Sequence, residues 1–345
     1  MPNPVLTDAI DRLASGSDLS ADEAAAVLHE VMAGEASEAQ AAAFLIALRT
    51  KGETVEELIG LARTMRSLAR SVSVGRGDLL DTAGTGGGRP TFNVSTTAAF
   101  VAAGAGCIVA KHGNRSATGR SGSADVLEAL GARIDLEPEA VAECIDAVGF
   151  GFMFAPHHHL AMRHVITVRR ELGVRTIFNF LGPLTNPAGA TRQVIGVSDG
   201  RYIDTIAAAL RGLGGTTALV VSSEDGLDEI SVSGTTRAVE LREGEIHSIS
   251  ITPESLGVDS YPADAVGAAD PSRSAEVARA VLGGEGSGAE RALVVVNAGA
   301  AIYVGGGADS IEAGVRAAES AIDSGAALDA MERFVARTLE LGGAS

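Results

Sequence analysis

Three consecutive glycines close the stretch Asp81-Thr82-Ala83-Gly84-Thr85-Gly86-Gly87-Gly88, and a fourth stands two residues before them. Without Cβ atoms in the way, successive backbone N–H groups can converge on one point. They then form a nest for an anion, and a diphosphate is its usual guest. The stretch lacks the Gly-Lys-Ser/Thr of a Walker A loop, and Arg89 breaks a GxGxxG spacing. Read by itself it also fits a flexible turn. Asn93-Val94-Ser95-Thr96 follows at a predicted helix start. Donors there suit phosphate, and a serine hydroxyl can enter a Mg2+ shell. An ordinary N-cap uses the same residue types.

Two further stretches carry charge. Lys111-His112-Gly113-Asn114-Arg115-Ser116-Ala117-Thr118-Gly119-Arg120-Ser121-Gly122-Ser123 contains Lys111, Arg115 and Arg120 and no acid before Asp125. With 27 Lys+Arg against 44 Asp+Glu, a formal net charge of −17, that is a local reversal of sign. A strand end, a Gly/Ser loop and a helix start in that order can hold a multiply charged phosphate ester; a solvated loop is the alternative. Asp225-Gly226-Leu227-Asp228-Glu229, after the apolar run Leu219 to Val221, sets two adjacent carboxylates just beyond a strand end. They can hold a hard cation and leave water positions for substrate oxygens, or form a polar turn. His157-His158-His159 resembles a metal tract, but adjacent side chains diverge and no Cys or carboxylate has ligand spacing nearby. A helix start is the better reading. Arg169-Arg170 reads as a solvated basic face.

The elements that must position these residues fall into two kinds. Ser20 to Glu23, Ser37 to Gln40 and Thr54 to Glu57 each match a capping box, and apolar residues follow each at a spacing near 3.6. With a helix near Val5 to Leu13, the first seventy or so residues form a segment of four short helices that needs another surface to cover its apolar face. After Gly77 the pattern alternates. Strands are predicted at Leu79 to Asp81, Cys107 to Ala110, Arg133 to Leu136, Gly151 to Phe154, Gln193 to Val197 and Ala218 to Ser222, with helices between, including Ser95 to Ala105 and Ser123 to Leu130. A hairpin of Thr236 to Leu241 and Glu245 to Ile251 is added. Asp259 to Ser272 is the expected long loop, and helices are expected near Ser274 to Leu282, Ser310 to Ser324 and Ala327 to Leu341. The fold class is α/β: a small all-helical domain plus a large α/β domain with a mostly parallel central sheet. The change of pattern sets the expected boundary after residue 74, with residues 1–74 in the small domain.

Composition narrows the partners. At 46% hydrophobic and 21% charged, the 345 residues suit a globular chain and not a disordered one. Glycine, 43 residues, is roughly twice its average share, which suits tight βα turns. The acidic balance argues against nucleic acid and against an anionic membrane surface. Cys107 and Cys144 have no metal-ligand spacing and read as reduced, buried residues. Met1-Pro2-Asn3-Pro4 opens no charged-then-apolar signal pattern, and the longest apolar run, Thr97 to Ala110, is too short to span a bilayer. A soluble, cytoplasmic protein is expected.

Taken in order, the chain resembles the anthranilate phosphoribosyltransferase family, of the nucleoside phosphorylase/type III phosphoribosyltransferase fold. The resemblance runs through Gly84-Thr-Gly86-Gly87, Asn93-Val-Ser95-Thr96, Lys111-His-Gly-Asn-Arg115, Ser121 to Gly131, Arg175-Thr-Ile-Phe-Asn179 with Leu181 to Pro187, and Asp225 to Glu229. It implies transfer of the 5-phosphoribosyl group from phosphoribosyl pyrophosphate (PRPP) to the amine of anthranilate, in tryptophan biosynthesis. It also implies a homodimer through the helical part, and a small domain joined by about residues 165–180, which leaves residues 75–164 and 181–345 to the large phosphoribosyl-binding domain. By resemblance, Gly84, Gly86 and Gly87 lie on the ribose-diphosphate, with Thr91, Asn93, Val94, Ser95 and Thr96 alongside. Lys111, His112, Gly113, Asn114, Arg115, Ser116, Ala117, Thr118 and Gly119 wrap the phosphates, with Ser123 just beyond. Gly84, Asn114 and Arg169 face anthranilate, Arg169 pairing with its carboxylate. Ser95 touches one Mg2+, and Asp228 and Glu229 hold a second.

Where the family usually has Asp after Gly-Thr-Gly-Gly, this chain has Gly88, followed by Arg89 in a loop about one residue shorter. The amine of an aromatic acceptor is already neutral at pH 7, so no dedicated general base is expected. Lys111 is the residue expected to stabilise departing pyrophosphate, together with Mg2+ and the glycine nest. Two rival readings are a nucleoside phosphorylase of the same fold, opposed by the Lys111 to Arg115 block with Asp228-Glu229, and a non-catalytic nucleic-acid-binding relative, opposed by the net charge. A third, a regulatory sensor, would bind PRPP without turnover.

Overall fold

The computed structural model describes residues 1–116 and 120–343. Four helices open the chain: α1 (Pro4–Ala14), α2 (Ala21–Ala33), α3 (Glu38–Lys51) and α4 (Val55–Leu68). There follow β1 (Leu80–Gly84), α5 (Val94–Gly104), β2 (Val109–Gly113), α6 (Ser123–Ala129), α7 (Pro138–Val148), β3 (Phe150–Phe154), α8 (Ala155–His158), α9 (Ile166–Leu172) and α10 (Phe178–Leu184). Then come β4 (Arg192–Gly196), α11 (Ile203–Gly212), β5 (Thr217–Ser223), β6 (Thr236–Arg242) and β7 (Glu245–Ile251). The chain closes with α12 (Pro271–Leu282), α13 (Gly288–Val304), α14 (Ile311–Asp323) and α15 (Ala326–Gly342).

The sheet runs β3-β2-β1-β4-β5-β6-β7. Its first five strands are parallel and β6 and β7 are antiparallel. Side chains alternate across a strand, and the core divides accordingly. Val194, Leu219, Val221 and Ala238 face a cluster containing α5 and α12 to α15. Ile195, Val220, Val239 and Leu241 face a second cluster that includes α1 to α4, α10 and α11. The opening helices therefore find the cover that their apolar faces require, partly through α11 and through Arg66, which donates to the carbonyls of Leu184 and Leu213.

Local signals account for most helix ends. The boxes at Ser20–Glu23 and Thr54–Glu57 are complete. The third is half formed: Ser37 Oγ accepts from Gln40 N, but the Gln40 side chain turns to Asn3 and Thr7. Two expectations need correction. Arg133 to Leu136 forms no strand. Ile134 and Leu136 are buried, and Arg133 N donates to Thr338 Oγ1 on α15, so the alternating pattern reflects burial against a helix. Helix α13 stands where no helix is expected, because its stretch from residue 292 to 302 is buried on every side and nearly all apolar, and so lacks a helical stripe. Cys107 and Cys144 are buried free thiols. Among the described residues, no helix is long and apolar enough to cross a membrane.

Candidate active site

Strands β1, β2, β4 and β5 deliver their C-terminal ends to one edge of the sheet, where ligands bind in open parallel sheets. The glycine turn leaves β1 there. Gly86 and Gly87 have φ of +65° and +82°, the left-handed region that a side chain disfavours, and both are exposed. Gly88 is a close approach: a Cβ would lie 2.6 Å from Asp228 Oδ1 and 2.9 Å from the Gly226 carbonyl. The backbone of the carboxylate loop thus lies against the backbone of the turn, and Gly86 N donates to Asp228 Oδ2 at 3.1 Å. From the other side Arg175 donates to the carbonyls of Gly86 and Thr85, while its own carbonyl accepts from Arg49 on α3.

Helix α5 starts beside the turn. Its N-cap, Asn93, makes no side-chain cap bond, unlike Ser20, Ser37 and Thr54 on the opening helices. Asn93 Nδ2 instead donates to the Ser121 carbonyl at 3.2 Å. An uncapped N-terminus keeps its N–H groups available for an anion. Among the described residues, buried Asn93 Oδ1 and Thr96 Oγ1 also lack partners. Thr91 donates only to the neighbouring Phe92 carbonyl, and Val94 is buried in the core.

Ser95, Asp228 and Glu229 line one small pocket with Thr82 and Asn297. Burial raises the pKa of Asp228. Burial, reinforced by Asp228, raises that of Glu229 well above the carboxylate range. Glu229 Oε2 is buried with no hydrogen-bond partner among the described residues. Asn297 on α13 brackets the next residue, accepting from Ile230 N at 2.9 Å and donating to its carbonyl at 2.9 Å. An orphaned buried carboxylate oxygen beside a second carboxylate and a hydroxyl fits a divalent cation. Among the described residues no group of three His, Cys, Asp or Glu could hold a metal. Mg2+ commonly needs only one or two carboxylates, because substrate oxygens and water complete its shell.

Lys111 on β2 sits deeper than the sequence suggests. It is buried at 1% exposure, and its ammonium donates to the Thr82 carbonyl, to Thr82 Oγ1 at 3.1 Å and to Ser95 Oγ at 3.4 Å. Burial pushes its pKa down to about 8, against the opposing pull of Asp81 and Glu229. Asp81 is also buried, accepting from His112 N at 3.1 Å and Asn186 Nδ2 at 2.8 Å. In this geometry Lys111 reaches the site through Ser95.

The rest of that block divides. The His112 ring is buried, with Nδ1 3.1 Å from the Gly182 carbonyl and its centre 5.1 Å from that of His159. It points to the α8–α10 side and away from the glycine turn. Arg115 pairs with Asp125 and Glu128 on α6 and lies over Phe154, so those carboxylates already balance its charge. Asn114 is exposed, and its carbonyl accepts from Ser123 Oγ at 3.3 Å. Gly113 ends β2, and Ser116 N donates to Asp125. Ala117, Thr118 and Gly119 lie outside the described residues.

Arg169 on α9 is half-buried, 5.1 Å from the centre of the Phe178 ring, and has no carboxylate partner among the described residues. Burial lowers its pKa from the ordinary arginine value. A charged fork in that position offers a site for a ligand carboxylate. Sequence reasoning gives no individual role to Arg175, Asn186 or Asn297, and it weighs His159 only within the histidine tract. Arg175 and Asn186 lie within blocks carrying the family resemblance, whereas Asn297 carries no signal.

Comparison with known proteins agrees with this frame. Residues 7–69 match the glycosyl transferase family helical bundle domain, and residues 76–328 match the glycosyl transferase family a/b domain. The fold is thus that of a glycosyl transferase built from a helical bundle and an a/b domain. An anthranilate phosphoribosyltransferase of Rubrobacter xylanophilus is 53% identical over 98% of this chain and 99% of its own. That of Thermus thermophilus superimposes with a TM-score of 0.91 at 45% identity, covering 96% of this chain and 99% of the other. The Saccharomyces cerevisiae enzyme, solved in complex with PRPP and Mg, gives 0.89 at 26% identity, covering 97% and 98%. The chain belongs to the anthranilate phosphoribosyltransferase family.

Proposed function

We propose that the chain transfers the 5-phosphoribosyl group of PRPP to the amine of anthranilate, giving N-(5-phosphoribosyl)anthranilate and pyrophosphate in tryptophan biosynthesis. The observation that carries this reading is the meeting, at one sheet edge, of a glycine turn, an uncapped helix start and two adjacent half-buried carboxylates. The yeast relative's complex with PRPP and Mg supports it.

On this reading Gly84 to Gly87 and the first turn of α5 receive the diphosphate and fix its orientation. Ser95, Asp228 and Glu229 hold Mg2+, with two ions in the full site. Bound Mg2+ supplies positive charge against the leaving diphosphate. Lys111 holds the Ser95 hydroxyl in place and adds its own charge from beneath. Arg169 pairs with the anthranilate carboxylate, with Asn114 and Gly84 at the same acceptor. His112 belongs to the α8–α10 side and not among the phosphates. No side chain need remove a proton before attack, because the aromatic amine carries a free lone pair at neutral pH. Rate enhancement then comes from positioning and charge.

The finer organisation follows the same reading. Residues 1–74, with about 165–180, form the small domain; α9 and α1 to α4 share one apolar cluster, which supports this. The helical segments leave Val5, Ile46, Ile166 and Val174 exposed, which suits a homodimer face. Free buried thiols suit the cytoplasm. The deciding experiment is the loss of anthranilate fluorescence with PRPP and Mg2+, each omitted in turn. Loss that requires both supports the reading. No loss from folded protein refutes it.

A further inference from the structure

Arg89 follows the three glycines and is held through its backbone N–H and its two terminal guanidinium nitrogens, while its Nε is buried with no partner among the described residues. Its N–H donates to the Gly226 carbonyl at 2.6 Å. Its guanidinium donates to the Ala263 carbonyl at 2.7 Å, the Val266 carbonyl at 3.2 Å and Asp225 Oδ2 at 3.1 Å. Asp225 in turn accepts from Ser231 Oγ at 2.8 Å, Ser233 Oγ at 2.5 Å and Leu227 N at 3.3 Å. Three separate segments are thereby joined: the turn after β1, the loop after β5 and the chain before α12. We propose that Arg89 is a positioning residue that clasps the glycine turn to the Asp225–Glu229 loop and so sets where Asp228 and Glu229 present their carboxylates to a divalent cation.

Three observations support this. A run of three glycines loses more conformational freedom on ordering than any other, and it has no side chains with which to order itself. Gly88 lets the two loops touch backbone to backbone, and Arg89 is the first residue after it able to hold them there. The carboxylate pair is then bracketed from both ends, Asp225 by Arg89 and Ile230 by Asn297. The role suits a fork: the guanidinium reaches the two carbonyls from one terminal nitrogen and the Asp225 carboxylate from the other, whereas a lysine must donate to every partner from a single atom.

The proposal rests on Asp228 and Glu229 being the cation-holding carboxylates, so its test carries a control for that reading. Mn2+ alone is titrated into the full chain, with free ion followed by paramagnetic resonance, for wild type, Arg89→Gln, Arg89→Lys and Asp228→Asn. Amide hydrogen exchange is read over residues 84–90 and 225–229. Removing a nearby positive charge by itself favours cation binding; loss of position disfavours it. Arg89→Gln and Arg89→Lys are both expected to weaken Mn2+ binding by about tenfold, the usual effect of losing a partner behind a metal ligand, and to speed exchange in both segments. Tighter or unchanged binding in Arg89→Gln, or full rescue by Arg89→Lys, overturns the proposal. Unchanged binding in Asp228→Asn overturns the carboxylate reading and the proposal with it; weakening there alone overturns only the role of Arg89. If Arg89→Gln does not fold, Asp225→Asn, which keeps its serine partners, is expected to give the same tenfold loss, and unchanged binding there refutes the clasp.

Discussion

Arg169→Met separates recognition from stability in one substitution. The guanidinium is half-buried, has no carboxylate partner among the described residues, and keeps only the Phe178 ring, 5.1 Å away. Such a contact contributes on the order of 0.5–1 kcal/mol, offset by the desolvation that lowers the Arg169 pKa. Methionine fills similar space without that penalty, so stability is expected to stay within about 1 kcal/mol of wild type. A charge-assisted bond to a ligand carboxylate contributes about 1.5–3 kcal/mol. At about 1.4 kcal/mol per factor of ten, that is roughly 10- to 150-fold in kcat/KM. The contact exists before and during reaction, so the loss should appear in KM for anthranilate, with kcat and KM for PRPP little changed. Pyrophosphate release is to be followed with anthranilate and with aniline, which has the amine and no carboxylate. The variant should lose its preference for anthranilate while its aniline rate stays level. Equal losses on both acceptors, or an unchanged anthranilate KM, would refute the pairing.

Asp228→Asn and Glu229→Gln should each shift the Mg2+ dependence of turnover to higher concentration, by about tenfold or more; an Mg2+ titration of initial rates that superimposes on wild type removes them from the cation site. Phe100→Ala should destabilise the chain by about 3–5 kcal/mol, because Phe100 is fully buried on α5 and stacks on Phe150 at 4.2 Å; urea unfolding measures it. His159 is buried, and its pKa is pushed down to about 4 by burial and by His158. Its folded pKa lies below the unfolded value near 6.5, so its contribution to stability is present above pH 6.5 and is lost as pH falls through about 4. His159→Asn should flatten the fall in unfolding free energy between pH 6.5 and 4 by up to about 1.4 kcal/mol per pH unit; an unaltered slope would show that another group carries it.

The features legible in the sequence are those whose physics is local. A glycine run, a helix start and adjacent carboxylates each announce their chemistry within a few residues, and the structure brings Gly86, Ser95 and Asp228-Glu229 to one edge of the sheet. Alternation locates most strands for the same reason, and it fails at Arg133 to Leu136, where a helix does the burying that a neighbouring strand would do. Helix α13 escapes notice because complete burial erases the stripe by which a helix is recognised. Yet that helix supplies Asn297, which holds the backbone beside Glu229.

The same distinction explains the cations. Lys111, Arg115 and Arg120 share one short stretch, which suggests a common phosphate field. Position in a sequence does not say which way a charge faces. Lys111 goes into the core against Thr82 and Asp81, and Arg115 folds back onto α6. The cations that touch the glycine turn come from elsewhere: Arg175 from the segment between α9 and α10, and Arg89 from the turn itself, reaching Asp225 across the sheet edge. Both meet the turn through its backbone carbonyls or through the neighbouring loop, while the N–H groups of Thr85 and Gly86 donate to the Gly196 carbonyl and to Asp228 Oδ2. On the proposed reading the remaining amides of the turn and the start of α5 receive the anion while the arginines hold the turn in place, so an acidic chain keeps an anion site without a basic surface.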